Sequence, residues 1–165
     1  LVSRTSIYAW GPNEAWETNA NRPLVYFSQI HARAERPFLR EFSESLTRSA
    51  CLLAQKRPVF LVRPIPEMGV NAPKTMSRFA ALGSRTVPSV SLEEYHTRHD
   101  LVWKAQDNAQ VRCRVTILDP LPYLCSDGRC EGAAQGRPFY YDDNHLSEYG
   151  NKRLVPMFEE VFVRH

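Results

Sequence analysis

The stretch Pro58-Val59-Phe60-Leu61-Val62 is a continuous run of β-branched and apolar residues. Such a run is typical of an interior strand of a parallel sheet, where both faces of the strand are covered. Val115-Thr116-Ile117-Leu118 is a second run of this kind. Residues 1–8 alternate like a further strand, although many of them are polar. Val25-Tyr26-Phe27 is compatible with a short edge strand.

Helical patterns alternate with these strands. Apolar residues recur at helical spacing for about five turns after Pro37, which is well placed as a first helical residue. Pro73 and Gly83 frame a short helix, and Ser91-Leu92-Glu93-Glu94 resembles a capping box that opens another. Pro156 stands inside the last apolar stripe and predicts a kink or a late helix start. The alternation predicts an α/β fold with a mostly parallel sheet, although about three clear strands make a thin sheet.

Length and composition indicate one globular domain. The chain has 165 residues, of which 43% are hydrophobic and 24% are charged, and this length is sufficient for a real core. The net charge of +3 comes with scattered arginines. We therefore expect no nucleic-acid partner, since nucleic-acid binding needs a clustered basic face. No apolar run approaches the roughly 20 residues that cross a bilayer.

The four cysteines bear on the redox compartment. Cys125 and Cys130 bracket the turn-rich tetrapeptide Ser126-Asp127-Gly128-Arg129, which predicts a small-loop disulfide and an oxidising compartment. Two free thiols in a cytosolic loop are the alternative, and zinc is disfavoured because the spacing is not C-x-x-C. We interpret Cys51, in a helical pattern, and Cys113, at the start of a strand, as buried small apolar residues.

An acid and a histidine stand three residues apart in Tyr140-Tyr141-Asp142-Asp143-Asn144-His145-Leu146-Ser147. The pair follows a short aromatic, strand-like run and precedes the last helical pattern. Such a junction can present an imidazole at the edge of a sheet, with a carboxylate that fixes its tautomer. We therefore select Asp142 and His145 as candidate catalytic residues. A metal site built from these two residues and Asp143 is disfavoured, because the spacing fits no known cation loop.

The proline-rich loop at residues 63–69 leaves the carboxyl end of a predicted strand, where open α/β sheets bind their ligands. A plain rigid connection is the alternative for this loop. His96 and His99 fall within a predicted helix, and we expect solvated or half-buried side chains there rather than ligands.

Residues 63–69 and 140–153 together resemble the SGNH (GDSL-like) hydrolase domain that is fused to the C-terminus of integral-membrane sugar O-acyltransferases of family three. Residues 141–150 are similar to the last catalytic block of that family. Residues 119–130 are similar to its late strand and cysteine loop. Residues 1–10 look like a diverged strand that carries an arginine, so the resemblance spans nearly the whole chain.

The resemblance implies an SGNH-hydrolase-like (flavodoxin-like) three-layer fold with a Ser-His-Asp acyl-transfer site. His145 would be the general base for a serine, and Asp142 would orient His145. Asp143 would be a neighbour without a direct role. Arg4 would reach the oxyanion or the substrate, with a surface arginine at a strand edge as an equal alternative.

The resemblance also implies partners and a location. The expected partners are a carbohydrate acceptor, an acyl donor and the membrane acyltransferase domain of the same parent chain, and no cofactor is expected. The domain would face the periplasm or the cell exterior, tethered to the inner membrane. There it would transfer acetyl or related acyl groups to polysaccharide, lipopolysaccharide or peptidoglycan, or hydrolyse such esters.

One departure from the family is clear. The family's nucleophile lies in a Gly-Asp-Ser block, and no serine of these 165 residues follows that pattern; Ser84, for example, lies between Gly83 and Arg85. We therefore expect residues 1–165 to be the C-terminal portion of a single SGNH-like domain that lacks its first β-α units. Alone, such a chain is expected to be inactive, because it lacks covalent catalysis and much of the oxyanion stabilisation.

The missing serine also favours a second reading of the chain. A non-catalytic glycan-binding or interaction module derived from the SGNH fold would need no nucleophile. Its aromatic side chains would stack on sugar rings, and the candidates are Trp10, Trp16, Tyr140 and Tyr141.

Overall fold

The computed structural model describes residues 6–14, 28 and 35–163. These residues divide into two compact units. The first unit comprises the described residues within 1–12, 18–64 and 97–119, and the second those within 13–17, 65–96 and 120–165.

The predicted first strand is wrong for its described part, because helix α1 spans Ser6–Trp10. Ser6 and Ala9 are buried three residues apart, which is helical rather than alternating spacing. Gly11 closes the helix with a positive φ of 78° and donates from its N–H to the Ile7 carbonyl at 2.9 Å. Residues 1–5 and the predicted edge strand at 25–27 lie outside the described residues.

The first unit contains the two predicted interior strands. Helix α2 (Arg36–Ala54) has a proline in its first turn and runs for about five turns, as predicted. Strands β1 (Phe60–Val62) and, later in the chain, β3 (Thr116–Leu118) pair in parallel, with Leu61 opposite Ile117. The core around them consists of Ala50, Val59, Leu61, Ala109 and Val115.

Arg63 directly follows β1 and is a buried cation. One guanidinium nitrogen donates to the Trp103 carbonyl at 2.9 Å and to the Gln106 side chain at 3.2 Å, and another bonds the Asp107 carboxylate. The guanidinium also lies over the Trp103 ring, 3.9 Å from the ring centre. Burying a charge is costly unless the charge is paired and hydrogen-bonded, and these contacts meet that need. They also fix the start of the 63–69 loop, because they hold the Arg63 side chain in one position.

Between these strands in the chain come α3 (Ala72–Ala81), β2 (Ser89–Ser91) and α4 (Leu92–Cys113). The predicted capping box is present: the Glu94 N–H donates to Ser91 Oγ at 3.1 Å, and the Ser91 N–H donates to Glu94 Oε2 at 2.8 Å. Further along α4, His99 is buried and its Nδ1 lies 2.5 Å from Ser6 Oγ. The prediction of a solvated or half-buried side chain is therefore wrong for His99, whose ring is fully buried against the Ser6 hydroxyl.

The prediction for Cys51 and Cys113 is wrong, because the two are joined by a disulfide with a Cα–Cα distance of 5.1 Å. Cys113 is the last residue of α4 rather than the start of a strand. Arg114, with a positive φ of 56°, follows the helix in the left-handed conformation that commonly ends helices. The bridge therefore joins two helices whose cysteines lie 62 residues apart in sequence.

The second unit contains the short antiparallel strands. They are β2, β4 (Cys125–Ser126), β5 (Arg129–Glu131), β6 (Ala133–Ala134) and β7 (Arg137–Pro138), in the orders β2-β5-β4 and β6-β7. The expected mostly parallel sheet is thus represented, among the described residues, by the β1–β3 pair alone. The connections from β4 to β5 and from β6 to β7 are two residues long, and so short a loop can join only antiparallel strands.

Helix α5 (Leu121–Leu124) leads directly into the cysteine hairpin. Cys125 and Cys130 are directly opposite across β4 and β5 and form a disulfide with a Cα–Cα distance of 3.9 Å. The two loop residues, Asp127 and Gly128, have φ values of 50° and 77°. These are the positive angles of a type I′ turn, for which Asp-Gly is a strongly preferred sequence.

The second unit has its own core, and two short helices are the last elements of the described chain. Met68, Ala72, Cys130, Phe139 and Tyr140 form that core. Helix α6 (Glu148–Arg153) is followed at once by α7 (Val155–Val163). Pro156 lies in the first turn of α7, where the missing N–H of proline costs nothing, so the predicted late helix start is confirmed.

The described residues mix helices and strands, as the predicted α/β class requires. The three-layer arrangement and the absence of the first β-α units stay predictions. Within the described part of the chain, every helix is too short or too polar to span a bilayer.

The two disulfides should differ in their contribution to stability. The cysteines of the Cys51–Cys113 bridge lie 62 residues apart in sequence, and those of the Cys125–Cys130 bridge lie 5 residues apart. For loops of these lengths the chain-entropy model gives a stabilisation of about 4 kcal/mol and about 2 kcal/mol, respectively. We expect the Cys51→Ala/Cys113→Ala variant to lose more unfolding free energy than the Cys125→Ala/Cys130→Ala variant. Urea unfolding of both variants beside the oxidised wild type measures this. Equal losses would contradict the entropic account.

Candidate active site

Asp142 and His145 meet as the sequence predicts. Asp142 Oδ2 lies 2.7 Å from Nδ1 of the His145 ring. The other carboxylate oxygen, Oδ1, accepts from the backbone N–H groups of Asn144 at 2.9 Å and His145 at 2.7 Å. One side chain therefore fixes both the turn of the backbone and the imidazole. Because an ionised carboxylate only accepts, Nδ1 carries the proton and Nε2 is the basic nitrogen.

The backbone around this pair forms a closed loop. The Tyr141 N–H donates to the His145 carbonyl at 2.9 Å, and the Ser147 N–H donates to the Phe139 carbonyl at 2.8 Å. Tyr140 and Leu146 form an antiparallel bridge between these two bonds. The loop is thus held at its base by a short ladder, which positions the Asp142 and His145 side chains.

Ser147 and Gly150 join this loop to α6. Ser147 Oγ caps the helix by accepting from the Gly150 N–H at 3.1 Å, and it donates to the Pro138 carbonyl at 2.9 Å. A Cβ atom at Gly150 would collide with the Phe139 carbonyl. Sequence reasoning assigned no role to Ser147; its position at the start of a helical pattern was the signal for this cap.

The proline-rich loop and α3 contact the same block from outside. The Met68 N–H donates to the Asp143 carbonyl at 2.7 Å, and the Ala72 N–H donates to the Asp142 carbonyl at 3.0 Å. Because Pro64 and Pro66 restrict the backbone of the 63–69 loop, the Met68 bond ties the acid–histidine loop to a stiff neighbour. The loop therefore supports the candidate site through its backbone, and a ligand-binding role for it stays a prediction.

The imidazole of His145 is accessible. Its side chain is 49% exposed, whereas that of Asp142 is 23% exposed. Among the described residues, Nε2 has no hydrogen-bond partner. The Tyr141 ring stacks on the imidazole with the ring centres 5.5 Å apart and the planes 28° apart. The geometry leaves Nε2 free to exchange a proton with a group outside the loop.

Partial burial alone would raise the pKa of the Asp142 carboxyl. Its hydrogen bonds from the Asn144 and His145 backbone N–H groups and from the His145 ring, together with the charge of that ring, outweigh the burial and hold the pKa below its ordinary value. The carboxylate therefore remains ionised at neutral pH and can stabilise an imidazolium.

Asp143 and Asn144 are both buried. Asn144 Nδ2 donates to Asp143 Oδ2, and the Asp143 backbone is held by the Met68 bond. Asp143 therefore stands on the inner side of the loop while Asp142 faces the imidazole. That Asp143 has no direct role in the chemistry stays a prediction. Among the described residues, no cluster of three or more His, Cys, Asp and Glu side chains is arranged to hold a metal ion.

The aromatic candidates for sugar stacking separate clearly. Tyr140 is fully buried, and burial, together with nearby Tyr95 and Glu67, raises the pKa of its phenol so that it stays neutral. The prediction that Tyr140 stacks on a sugar ring is therefore wrong, because its ring is not accessible. Tyr141 is 63% exposed and Trp10 is 55% exposed on α1. Trp16, like Arg4, lies outside the described residues.

These features define an α/β chain with an exposed imidazole held by a carboxylate. A family model described as the SGNH domain (fused to AT3 domains) matches residues 1–160. The chain belongs to this family of SGNH domains. A comparison with curated proteins found no match, and neither did a comparison with solved structures. Family membership indicates an acyl-transfer or hydrolase role and a membrane acyltransferase domain as partner in the parent protein.

The lowered pKa of Asp142 predicts a pH dependence of stability. Because its folded pKa lies below its unfolded value, the ionised carboxylate stabilises the fold above about pH 4, and this contribution is lost as the pH falls through the folded pKa. We expect the difference in unfolding free energy between the wild type and Asp142→Asn to be largest near neutral pH and to shrink in acid. Urea unfolding across this range measures it; a constant difference would contradict the assignment.

Proposed function

We propose that this chain supplies the histidine and aspartate of a Ser-His-Asp site that transfers acyl groups, acetyl above all, to cell-surface glycans or hydrolyses their esters. The observation that carries the proposal is the Asp142-held imidazole of His145 with its exposed, unpartnered Nε2. The serine comes from residues outside the given sequence, since no Gly-Asp-Ser block occurs in it.

The chemistry follows from the two residues. Nε2 of His145 takes the proton of the serine hydroxyl while the serine oxygen attacks the acyl carbonyl. Asp142 stabilises the resulting imidazolium through its bond to Nδ1. The imidazolium then protonates the leaving group, and an acyl-serine remains. In the second half, His145 takes a proton from the acceptor hydroxyl, or from water, which attacks the acyl-serine and releases the serine.

Arg4 is proposed to bind the oxyanion or the substrate, as the family resemblance implies. Its cationic side chain is suited to stabilise the negative charge that develops on the carbonyl oxygen. Without the serine, the Asp142 and His145 pair activates water only weakly, so this chain alone is expected to be inactive.

The remaining partners follow from the family. The fusion to AT3 domains supports the membrane acyltransferase domain of the same parent chain as the neighbour that delivers the acyl donor. A carbohydrate acceptor fits the enzymes to which such domains are fused. The small net charge of +3 argues against a nucleic-acid partner, which would need a clustered basic face.

A glycan-binding module is the alternative function. The absent Gly-Asp-Ser block favours it, and so does Tyr141, whose exposed ring offers a stacking surface beside His145. In this alternative the acid–histidine loop is a structural remnant. It predicts glycan binding without turnover in the parent protein.

The catalytic role of His145 predicts the effect of its removal. In the full-length parent protein, we expect His145→Ala to abolish acyl transfer or esterase turnover, because no other described side chain offers a free imidazole nitrogen beside Asp142. Turnover of an ester substrate measures this. His96→Ala on α4 is the matched control, and it should leave the rate unchanged.

Asp142→Asn tests the same mechanism from the other side of the hydrogen bond. Asn keeps the acceptor for the backbone N–H groups but loses the charge, so the rate should fall by about 10²–10⁴-fold without unfolding. Wild-type turnover in either variant of the pair would contradict the proposed function, and glycan binding with no turnover in the wild type would favour the binding module.

We also propose that the domain lies in the periplasm or another extracytoplasmic space, tethered to the inner membrane in the parent protein. Two disulfides in one small chain support an oxidising compartment. Alkylation of the parent protein in intact cells should then leave all four cysteines unmodified until a reductant is added, as read by mass. Four alkylated cysteines without reductant would contradict this location.

A further inference from the structure

A groove of about 570 Å³ lies in the second unit along α3. Its apolar lining comes from Pro73, Met76 and Ala80 of the helix region, together with Val87 and Pro138. This volume is within the range of small-ligand sites, about 300–1,000 Å³. The groove is distinct from the residues that perform the proposed chemistry.

One rim of the groove is a rigid loop that carries Arg85. Gly83, with a φ of 75°, ends α3: its N–H donates to the Ala80 carbonyl at 3.0 Å, and the Ser84 N–H donates to the Phe79 carbonyl at 2.8 Å. This is the Schellman pattern of helix termination. Ser84 Oγ then lies 2.8 Å from Thr86 Oγ1. Arg85 is therefore held between two hydrogen-bonded hydroxyl residues.

A second rim is formed by the β6–β7 hairpin turn. Gln135 and Gly136 have φ values of 52° and 74°, the two positive angles of a type I′ turn. Gln135 and Gly136 both line the groove. Both rims are thus built by hydrogen-bonded turns that need little rearrangement to receive a ligand.

The groove begins beside the acid–histidine loop. Pro73 follows Ala72, whose N–H is bonded to the Asp142 carbonyl at 3.0 Å. Pro138, on the other side, has its carbonyl bonded to Ser147 Oγ at 2.9 Å. One end of the loop that carries His145 is therefore bonded to Pro138 of the lining, and the other end is bonded to Ala72, the neighbour of Pro73 in the lining.

The polar groups of the lining indicate the charge of the ligand. The lining contains one cation, Arg85, no acid, and the hydroxyl and amide groups of Ser77, Ser84, Thr86 and Gln135. Arg85 forms no ion pair with any residue that the structure describes. A guanidinium without a partner favours a carboxylate or a phosphate, which it can bind through two hydrogen bonds.

The geometry points to an acceptor subsite: we propose that this groove binds the glycan acceptor and selects one that carries an acidic group. The apolar floor receives the C–H faces of the sugar rings, the hydroxyl and amide groups bind sugar hydroxyls, and Arg85 binds the acid. This inference rests on the proposed function, because it assigns the acceptor of that reaction, but binding is measurable without turnover.

The test is calorimetric titration of this chain with three oligosaccharides of equal length. One carries uronic-acid carboxylates, one carries phosphate esters, and one is neutral. We expect an acidic oligosaccharide to bind and the neutral one to bind at least about tenfold more weakly, as the loss of a charge-assisted hydrogen bond requires. Comparison of the first two identifies the acidic group. Equal binding of all three, or binding of none, would overturn the proposal.

Matched variants locate the binding. Arg85→Gln should weaken binding of the acidic oligosaccharide by about tenfold. Arg78→Gln, which changes an arginine of α3 outside the lining, should leave binding unchanged. Met76→Trp should block the groove for every saccharide. Equal effects of the two arginine variants would overturn the proposal. Unchanged thermal melting confirms that each variant folds.

The parent protein separates this inference from the proposed function. Arg85→Gln should raise KM for the acidic acceptor and leave kcat unchanged, because the lost contact is made equally in the ground state and in the transition state. Unchanged KM would overturn the acceptor subsite while His145→Ala still abolishes turnover. Conversely, normal turnover in His145→Ala would refute the catalytic role and leave the binding result intact.

Discussion

The carboxylate of Asp142 is the group on which the candidate site depends. Its two oxygens accept three hydrogen bonds, two from backbone N–H groups and one from the His145 ring. The backbone bonds shape the turn, and the turn places the imidazole within reach of the same carboxylate. Local structure and chemical function are therefore coupled in one side chain. This coupling explains why the pair is spaced by three residues: the Asx-type turn returns the chain to the carboxylate at that distance.

Much of the fold was predictable because its signals are local. The helix after Pro37, the capping box at Ser91 and the interior strand ending at Val62 each follow from periodicity or caps within a few residues. The strand predicted at residues 1–8 is wrong for residues 6–8, which belong to α1, because polar residues at helical spacing can imitate alternation. The antiparallel hairpins were not predicted, since their strands are only two or three residues long, too short for a period to appear.

The site divides in the same way. The Asp142 and His145 pair was found from four residues of sequence, because its geometry is made within that stretch. The bonds from Met68 and Ala72, and the bridge between Cys51 and Cys113, join residues from distant parts of the chain. No pattern in a single sequence indicates such pairings, since they arise only when the elements pack. The acid–histidine motif alone does not indicate an acyl-transfer function, and this hypothesis came from the family resemblance.

The glycine at position 150 restricts more than its own side chain. The Phe139 carbonyl occupies the space that any substituent at Gly150 would need. The backbone at Phe139 and the first turn of α6 are therefore in close contact. The intervening stretch is consequently fixed in length as well as in composition. Inserting or deleting a single residue between them would break that close approach or displace the imidazole, so this part of the chain tolerates exchange of exposed side chains but no change in its number of residues.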